Sequence, residues 1–188
     1  MQTQSRFPRQ AGVSLVEVLV AMVILSIGLL ALVVLHGRLH VLQVESYQRS
    51  EALVILNDMA NRIQLNRNAA VSYVTAAPLG TGMNCNGMAA GTRQEIDAKE
   101  WCGELQGSGE TLGGASVGAM VGARACVENI GANEYLVTVA WQGMAPLSAP
   151  PASVGCGAGE YDGAAGTACV DDLCRRVVTT VVRIATLT

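Results

Sequence analysis

The chain is organised around residues 12–37, whose sequence is GVSLVEVLVAMVILSIGLLALVVLHG. From Val18 to Gly37 it has no formally charged side chain, with His36 counted neutral. About 20 mostly apolar residues are enough for a helix that spans a bilayer. Glu17 nevertheless lies inside the apolar stretch, where an acid costs about 2.5–3.5 kcal/mol at a helix centre and less near its end. An acid kept at that cost predicts a partner or a function for Glu17.

The residues before this stretch are polar and include two cations, Arg6 and Arg9. Cations that precede a first apolar segment tend to stay cytoplasmic, so we expect the rest of the chain to face outward. An ordinary secretory signal peptide is disfavoured because the run is too long, contains Glu17 and is not followed by a small-x-small cleavage site. A plain signal anchor meets those objections but leaves Glu17 without a role.

Gly12, residues 13–17 (VSLVE) and the apolar run behind them resemble the class III leader of type IV pilins and pseudopilins. In that family a prepilin peptidase cuts after the glycine on the cytoplasmic side and methylates the new N-terminal amine. The resemblance implies cleavage between Gly12 and Val13 and N-methylation of Val13. Glu17 would then be the fifth mature residue, and its acid could pair with the new amine at Val13 of its own chain or of a neighbouring subunit. A pair between subunits would set the register of adjacent helices during assembly. The family usually has phenylalanine where Val13 stands.

The helix is predicted to continue past the membrane, because no proline occurs between Pro8 and Pro78. From 13 to 67 it would be roughly 80 Å long at 1.5 Å per residue. Its first half is apolar all round, and its second half is one-sided and suited to packing on a sheet. The apolar face has Ala52, Leu56, Met59 and Ile63, opposite Glu51, Asp58 and Arg62.

The residues beyond this helix predict a small, loop-rich head. Thr92 followed by Glu95 is a capping-box signature, and it predicts a short helix ended by Gly107. On one face of that helix we expect Ala98, Trp101, Cys102 and Leu105, with Trp101 in the core. The pattern is weakly strand-like over residues 116–130 and predicts a hairpin over 124–141 that turns at 131–134. An exposed loop is predicted over 143–168, and the last strand over 170–184.

The predicted fold class is therefore α+β: a long N-terminal helix packed on a small antiparallel β-sheet with disulfide-stapled loops, as in the type IV pilin fold that the resemblance implies. The chain divides into four parts. They are the leader (1–12, removed), the transmembrane and filament-core half of the helix (13–37), its amphipathic half (38–67) and a periplasmic globular head (68–188).

All six cysteines follow the apolar segment, and an even number on one side of a membrane predicts disulfides in an oxidising compartment. A zinc site is disfavoured because there is no Cys-x-x-Cys and both histidines, His36 and His40, lie at the membrane edge. The sequence leaves many connectivities open. Local closure favours Cys85–Cys102 and Cys156–Cys169, which leaves Cys126–Cys174.

Charge and motif content exclude several functional classes. The formal charge is 12 − 15 = −3, and loss of Arg6 and Arg9 with the leader gives 10 − 15 = −5, which argues against a nucleic-acid partner. No nucleophile motif, phosphate loop or metal-ligand cluster is apparent, and histidines at the membrane edge cannot serve a triad in the head. We therefore expect no cofactor, no metal and no enzyme activity.

A second resemblance concerns residues 56–68 (LNDMANRIQLNRN), Trp101 and residues 175–178 (RRVV), which together are similar to the PilV-type minor pilins. It implies a low-abundance subunit that primes type IV pilus assembly and sits at or near the tip, supporting twitching motility and adhesion. The implied partners are other minor pilins and pilus subunits through the N-terminal helix, a tip adhesin, the prepilin peptidase and, before assembly, inner-membrane lipid. The N-terminus would be cytoplasmic and the head periplasmic.

Two alternatives stay open at this point. A minor pseudopilin of a type II secretion system would share the leader and the long helix. A membrane-anchored periplasmic binding or redox protein belongs to a different class, and it predicts an N-terminus that is not cut.

Overall fold

The computed structural model describes residues 14–185 and divides into two compact units between Gln43 and Val44. Helix α1 (Leu15–Leu65) contributes to both units and ends two residues before its predicted end. It is continuous through Gly28 and Gly37, where a Cβ atom would meet nothing within 4 Å. The predicted start of the mature chain at Val13 lies outside the described residues.

The first unit is an apolar helix with every side chain from Ser14 to Gln43 exposed. Among the described residues, α1 is the one helix that is long and apolar enough to cross a membrane. Together with the leader pattern, this helix fits membrane anchoring.

The second unit contains the end of α1, a second helix and six strands. A four-stranded antiparallel sheet has the order β1-β4-β5-β6, and β2 and β3 form a separate two-stranded ribbon. The strands are β1 (Leu79–Gly80), β2 (Thr111–Leu112), β3 (Ala115–Ser116), β4 (Arg124–Gly131), β5 (Glu134–Gln142) and β6 (Arg175–Arg183). The helices are α2 (Arg93–Leu105) and two 3₁₀ segments, Arg67–Tyr73 and Cys85–Gly87.

The predicted hairpin is confirmed as β4 and β5. Its two turn residues, Ala132 and Asn133, have φ values of 40° and 62°, which is the left-handed backbone that a two-residue type I′ turn requires. The weak strand expected over 116–130 begins only at Arg124. The predicted last strand is confirmed as β6.

The core lies between α1, α2 and one face of the sheet. Alternate residues of β5 are buried there, as its period of two predicts: Tyr135, Val137, Val139 and Trp141. From α1 the same cluster receives Ala52, Ile55, Leu56, Met59, Ala60 and Ile63. Trp101 of α2 is fully buried, and its indole N–H donates to the carbonyl oxygen of Ile55 at 3.0 Å. The α+β fold, with a long N-terminal helix packed on a small antiparallel sheet, is thus confirmed.

The capping box of α2 is confirmed in both directions. The Thr92 hydroxyl accepts from the Glu95 N–H at 3.2 Å, and the Glu95 carboxylate accepts from the Thr92 N–H at 2.9 Å. These backbone donors, Thr92 first and then Gly91, lower the pKa of Glu95. The predicted face of the helix is confirmed, because Trp101, Cys102 and Leu105 are buried and Ala98, partly buried, packs against the same core. Asp97 of this helix is buried as well, at 1% exposed.

Three disulfides staple the head, and two of the predicted pairs are wrong. The structure has the predicted Cys85–Cys102 bond, but Cys126 pairs with Cys156, and Cys169 with Cys174. The predicted Cys156–Cys169 and Cys126–Cys174 pairs fail because the loop after β5 crosses the second face of the sheet. There the loop brings Cys156 to Cys126, while Cys169 and Cys174 bond to each other across the tight turn before β6.

The crossing loop buries part of that second face rather than standing free in solvent. Thr138 and Ala140 are fully buried, although their side chains point away from the core helices. Tyr161 of the loop is 3% exposed, and its hydroxyl donates to the carbonyl of Gly122 at 2.9 Å. Burial raises the pKa of Tyr161 to about 12. The loop therefore acts as a third layer over one end of the sheet.

Candidate assembly site

The described part of the N-terminal site begins at Ser14, the residue directly before α1. Its carbonyl oxygen accepts from the N–H groups of Glu17 at 3.0 Å and Val18 at 3.3 Å. Glu17 is therefore in the first turn, where an acid faces the positive end of the helix dipole, an interaction worth about 0.3–1 kcal/mol. Its side chain is exposed, and none of the ion pairs among residues 14–185 involves it.

The lateral surface behind Glu17 is almost wholly apolar. Ser26, the one hydroxyl between Glu17 and His36, donates back to the carbonyl of Met22 at 2.7 Å and needs no outside partner. At the far end His36 and His40 lie edge to face, with 4.6 Å between ring centroids. The described residues contain no group of three or more His, Cys, Asp or Glu side chains placed to hold a metal ion.

A family model described as "Prokaryotic N-terminal methylation motif" matches residues 7–33. This range contains Gly12, Val13, Glu17 and the larger part of the apolar run. Residues 7–33 therefore carry a type IV pilin leader motif. No curated protein and no solved structure matches it. The motif implies processing by a prepilin peptidase and assembly with pilus subunits. The peptidase site at Gly12 and Val13 lies outside the described residues, so its geometry stays a prediction.

The head is fixed to α1 at two points. The first is Arg62, which the sequence placed on the outer face of the helix. Its side chain is only 15% exposed and lies between α1 and α2. It contacts four carboxylates: Asp58 at 2.5 Å, Asp97 at 3.1 Å, Glu100 at 2.5 Å and Glu104 at 3.5 Å. Burial alone would lower the pKa of Arg62, but hydrogen bonds from its guanidinium to Glu100 and Asp58 raise it overall.

One signal for this contact is present in the sequence. Asp97, Glu100 and Glu104 are spaced i, i+3 and i+7, so they share one face of α2. An acidic stripe on a short helix faces either solvent or a cationic side chain on the element packed against it. The sequence gives no means of choosing α1 as that element, and Arg62 was missed for this reason.

Asp97 is the most buried of the four acids that contact Arg62. Besides Arg62, it accepts from the Arg93 guanidinium at 2.9 Å and from the Tyr73 hydroxyl at 2.6 Å. Tyr73 in turn accepts from the Asn66 amide at 3.1 Å. Burial first, and then the hydrogen bond to Asp97, raise the pKa of Tyr73. This network ties the 3₁₀ segment that follows α1 to the start of α2.

The second fixing point is Glu45, near the start of the α1 segment that belongs to the head. Its carboxylate accepts from the Met144 N–H at 2.7 Å and lies 3.5 Å from an Arg176 Nη atom. The same Arg176 nitrogen donates to the Ala145 carbonyl at 2.6 Å. Glu45 and Arg62 are roughly 25 Å apart along a helix of 1.5 Å rise per residue. These two polar clamps fix α1 to α2 at Arg62, and to β6 and the loop after β5 at Glu45.

Between the clamps, a groove of about 290 Å³ is lined by four acids: Glu51, Asp58, Glu104 and Glu110. Burial first, and then the charge of Asp58, raise the pKa of Glu104, although Arg62 opposes this. The charge of Glu110 is the main cause that raises the pKa of the neighbouring Tyr47. The groove thus holds more negative charge than Arg62 compensates.

Proposed function

We propose that this pilin-like protein is a minor pilin, a low-abundance structural subunit that helps prime type IV pilus assembly and sits at or near the pilus tip. The observation that carries the proposal is the continuity of the methylation motif with an apolar helix whose side chains are all exposed from Ser14 to Gln43. A motif of this kind provides the processing signal, and a helix of this kind provides the surface that assembles.

The exposed helix requires a non-aqueous environment. Contiguous exposed apolar surface of this extent is unstable in water, since each buried Leu, Ile or Val side chain is worth about 1.5–3 kcal/mol. Lipid meets that need before assembly, and the helices of other subunits meet it afterwards. We therefore place the protein first in the inner membrane, with its N-terminus cytoplasmic and its head periplasmic, and then in the pilus.

Glu17 gains a partner in this scheme. Cleavage after Gly12 creates a cationic amine at Val13, either in the same chain or in a neighbouring subunit. An opposite charge within about 4–6 Å favours the ionised acid and offsets part of its burial cost. A pair between subunits would also set the axial register of adjacent helices.

The head supports a minor rather than a major subunit. Three disulfides and a layered loop differ from the single C-terminal disulfide loop common in major pilins. Within the PilV-like stretch 56–68, Arg62 faces α2, so this part of the resemblance concerns how the head is built. The inferred role is structural, without catalysis or a cofactor, and its partners are other minor pilins and a tip adhesin. Twitching motility and adhesion would follow from it.

Intact-mass measurement of the protein extracted from membranes tests the processing step. The expected mature chain begins at Val13 and carries one added methyl group, and in a strain without prepilin peptidase the leader remains. A Gly12 substitution serves as the matched uncut control. A mature chain that begins at any other residue would defeat the proposal. An uncut chain in the parent strain would favour a membrane-anchored periplasmic binding or redox protein.

A minor pseudopilin of type II secretion is the second candidate, because the same motif and exposed helix serve both systems. A strain that lacks the protein separates the two. Loss of surface pili with normal exoprotein secretion supports the pilus subunit. Normal pili with lost secretion would assign the protein to type II secretion instead.

A further inference from the structure

A pocket of about 210 Å³ lies beside the Cys126–Cys156 disulfide, at the β1 edge of the main sheet. It is lined by segment 75–78, which leads into β1, by residues 126 and 128 of β4, and by residues 155–156 of the crossing loop. The disulfide holds the loop to β4, and Thr75 holds the segment there. The Thr75 N–H donates to the Val127 carbonyl at 3.0 Å, and the Thr75 hydroxyl accepts from the Val127 N–H at 3.1 Å.

Glu128 is the acid of this pocket, and its carboxylate is unpaired within the described part of the chain. One oxygen, Oε2, is buried without a hydrogen-bond partner. The other, Oε1, is 3.9 Å from the position that a Cβ atom on Gly155 would take, and Gly155 is part of the pocket wall. None of the ion pairs among residues 14–185 involves Glu128.

Two neighbouring acids show the usual arrangement instead. Glu134, the other acid of the main sheet, lies 2.6 Å from Arg183, and Glu160 of the crossing loop lies 2.8 Å from Arg124. A charge that is withdrawn from water is costly unless it is paired or hydrogen-bonded. Since Oε2 of Glu128 has neither, compensation has to come through Oε1, from the side of the pocket.

The ligand set favours an organic cation over a metal ion. Residues 14–185 contain no group of three or more His, Cys, Asp or Glu side chains placed to hold a metal, and Ca²⁺ takes about six to eight oxygen ligands. A single carboxylate is enough for an ammonium or guanidinium group. Because Oε2 is closed off, a guanidinium cannot bond to both oxygens at once, whereas a lysine ammonium is a point charge that needs one.

The rest of the wall is apolar and consists of Ala76, Ala77, Pro78 and the disulfide. Lysine packs its methylene stem on apolar surface while its ammonium group stays at a polar site. The pocket thus offers a surface for the stem of such a side chain and an acceptor for its charged end.

We propose that this pocket receives a lysine side chain of a different protein, whose ammonium group pairs with Glu128 Oε1 and whose stem packs on segment 76–78. One ion pair at a partly exposed site contributes little affinity, so a free amine would occupy the pocket poorly. On a protein surface, the contacts around the lysine hold it at the pocket and raise its effective concentration. A second copy could supply only Lys99, the single lysine of the chain, which is half-buried on α2.

NMR titration of the full chain in detergent tests the pocket with defined probes. The probes are acetylated and amidated peptides, Gly-Ala-Xaa-Ala-Gly, in which Xaa is lysine or norleucine, which has the lysine stem without its charge. At millimolar concentration the lysine peptide should shift the amide signals of Ala76, Ala77 and Gly155 and the carboxyl carbon of Glu128. The norleucine peptide should bind about fivefold more weakly, the upper range for a partly exposed ion pair. Added salt should reduce this difference.

Two variants define the outcome in the protein. Glu128→Gln keeps the shape of the side chain and should lower binding of the lysine peptide to that of the norleucine peptide. It should be no less stable to urea than the parent, because the carboxylate has no partner in its own chain to lose. Glu134→Gln is the matched control, since Glu134 already pairs with Arg183, and it should leave the lysine preference unchanged.

Carbodiimide treatment of cells that express the protein tests the source of the lysine, since it joins carboxylates to amines that are in contact. Peptide mapping should find Glu128 joined to a lysine of another protein, and this product should be absent from Glu128→Gln and present in Glu134→Gln. A Glu128–Lys99 product would overturn the proposal in favour of a second copy, and the absence of any Glu128 product would overturn the partner lysine.

The titration has its own contradicting outcomes. Equal binding of the lysine and norleucine peptides, or a lysine preference that survives Glu128→Gln, would overturn the site. So would a large loss of stability in Glu128→Gln, since the carboxylate would then have a partner within the chain. Saturation by n-butylammonium, the bare side chain of lysine, at micromolar concentration would assign the pocket to a free amine. The titration does not depend on leader processing or on filaments, so the pocket and the pilus role can fail separately.

Discussion

Arg62 on α1 and Asp97 on α2 form an ion pair inside the head, with 3.1 Å between Nη1 and Oδ1. Asp97 is 1% exposed and also accepts from Arg93 and Tyr73. One buried carboxylate therefore receives three donors from two helices and the 3₁₀ segment between them. A buried charge is tolerated only when it is paired and hydrogen-bonded, and this arrangement meets both conditions.

Asp97→Asn should destabilise the head by about 3 kcal/mol, because loss of one partner of a buried pair leaves the other charge poorly compensated. The measurement is urea unfolding in detergent, followed by the fluorescence of the buried tryptophans. Glu100→Gln is the matched control. Glu100 also contacts Arg62, but its side chain is 52% exposed, so its loss should cost at most about 1 kcal/mol. Equal costs for the two variants would show that burial does not set the strength of this network.

The local elements of the fold were predictable because their signals are local. The capping box needs only Thr92 and Glu95, and the hairpin needs a turn at 131–134 between alternating strands. The burial of Arg62 was not predictable. Periodicity assigns the residue to a flank of α1, but only the packing of α2 against that flank decides that the flank is interior.

The cysteine pairing was likewise predictable only where its signal is local in the sequence. Cys85 and Cys102 lie on neighbouring short helices, so closure along the sequence finds their bond. The Cys126–Cys156 bond depends on a loop that passes over the sheet, and no sequence pattern gives that path. At the N-terminus the reverse holds, because the leader motif at Gly12 and Glu17 is a purely local signal.

The two acids of α2 with shifted pKa values should have opposite effects on stability as a function of pH. The pKa of Glu104 is higher in the folded state than in the unfolded chain, so its ionised carboxylate destabilises the fold. This destabilisation is absent below the unfolded-state pKa and is complete once the pH has risen through the folded-state pKa. Glu104→Gln should therefore stabilise the head at neutral pH and lose this advantage in acid. Unfolding curves at several pH values measure the difference from the parent.

Glu95→Gln is the control with the reverse sign. The backbone N–H groups of Thr92 and Gly91 depress the pKa of Glu95, so its charge stabilises the fold above the usual pKa. That contribution is lost as pH falls through the depressed value. The glutamine variant should be less stable than the parent at neutral pH and equal to it in acid. Parallel pH curves for both variants would contradict these assignments.

Two of the three disulfides should differ clearly in their effect on stability. The Cys126–Cys156 bond closes a separation of 30 residues and Cys169–Cys174 one of 5. Loop-closure entropy predicts losses of about 4 and about 2 kcal/mol when each pair is replaced by alanine. Urea unfolding measures the losses, and peptide mapping of the unreduced protein identifies the bonds. A peptide that joins Cys156 to Cys169 would contradict the fold of the crossing loop.

Glu17→Ala should leave membrane insertion and leader cleavage intact but reduce incorporation into filaments. Removing the acid makes the segment more apolar, so insertion is not impaired, whereas the proposed pairing would leave the amine of Val13 without its partner charge. The readouts are intact mass for cleavage and the ratio of protein in sheared filaments to protein in membranes. Glu17→Gln, which has the same shape without the charge, should behave like the alanine variant, and Glu17→Asp should recover part of the incorporation. Normal incorporation of Glu17→Ala would remove the role of Glu17 in register, since the acid would then be kept in the apolar stretch for some other reason.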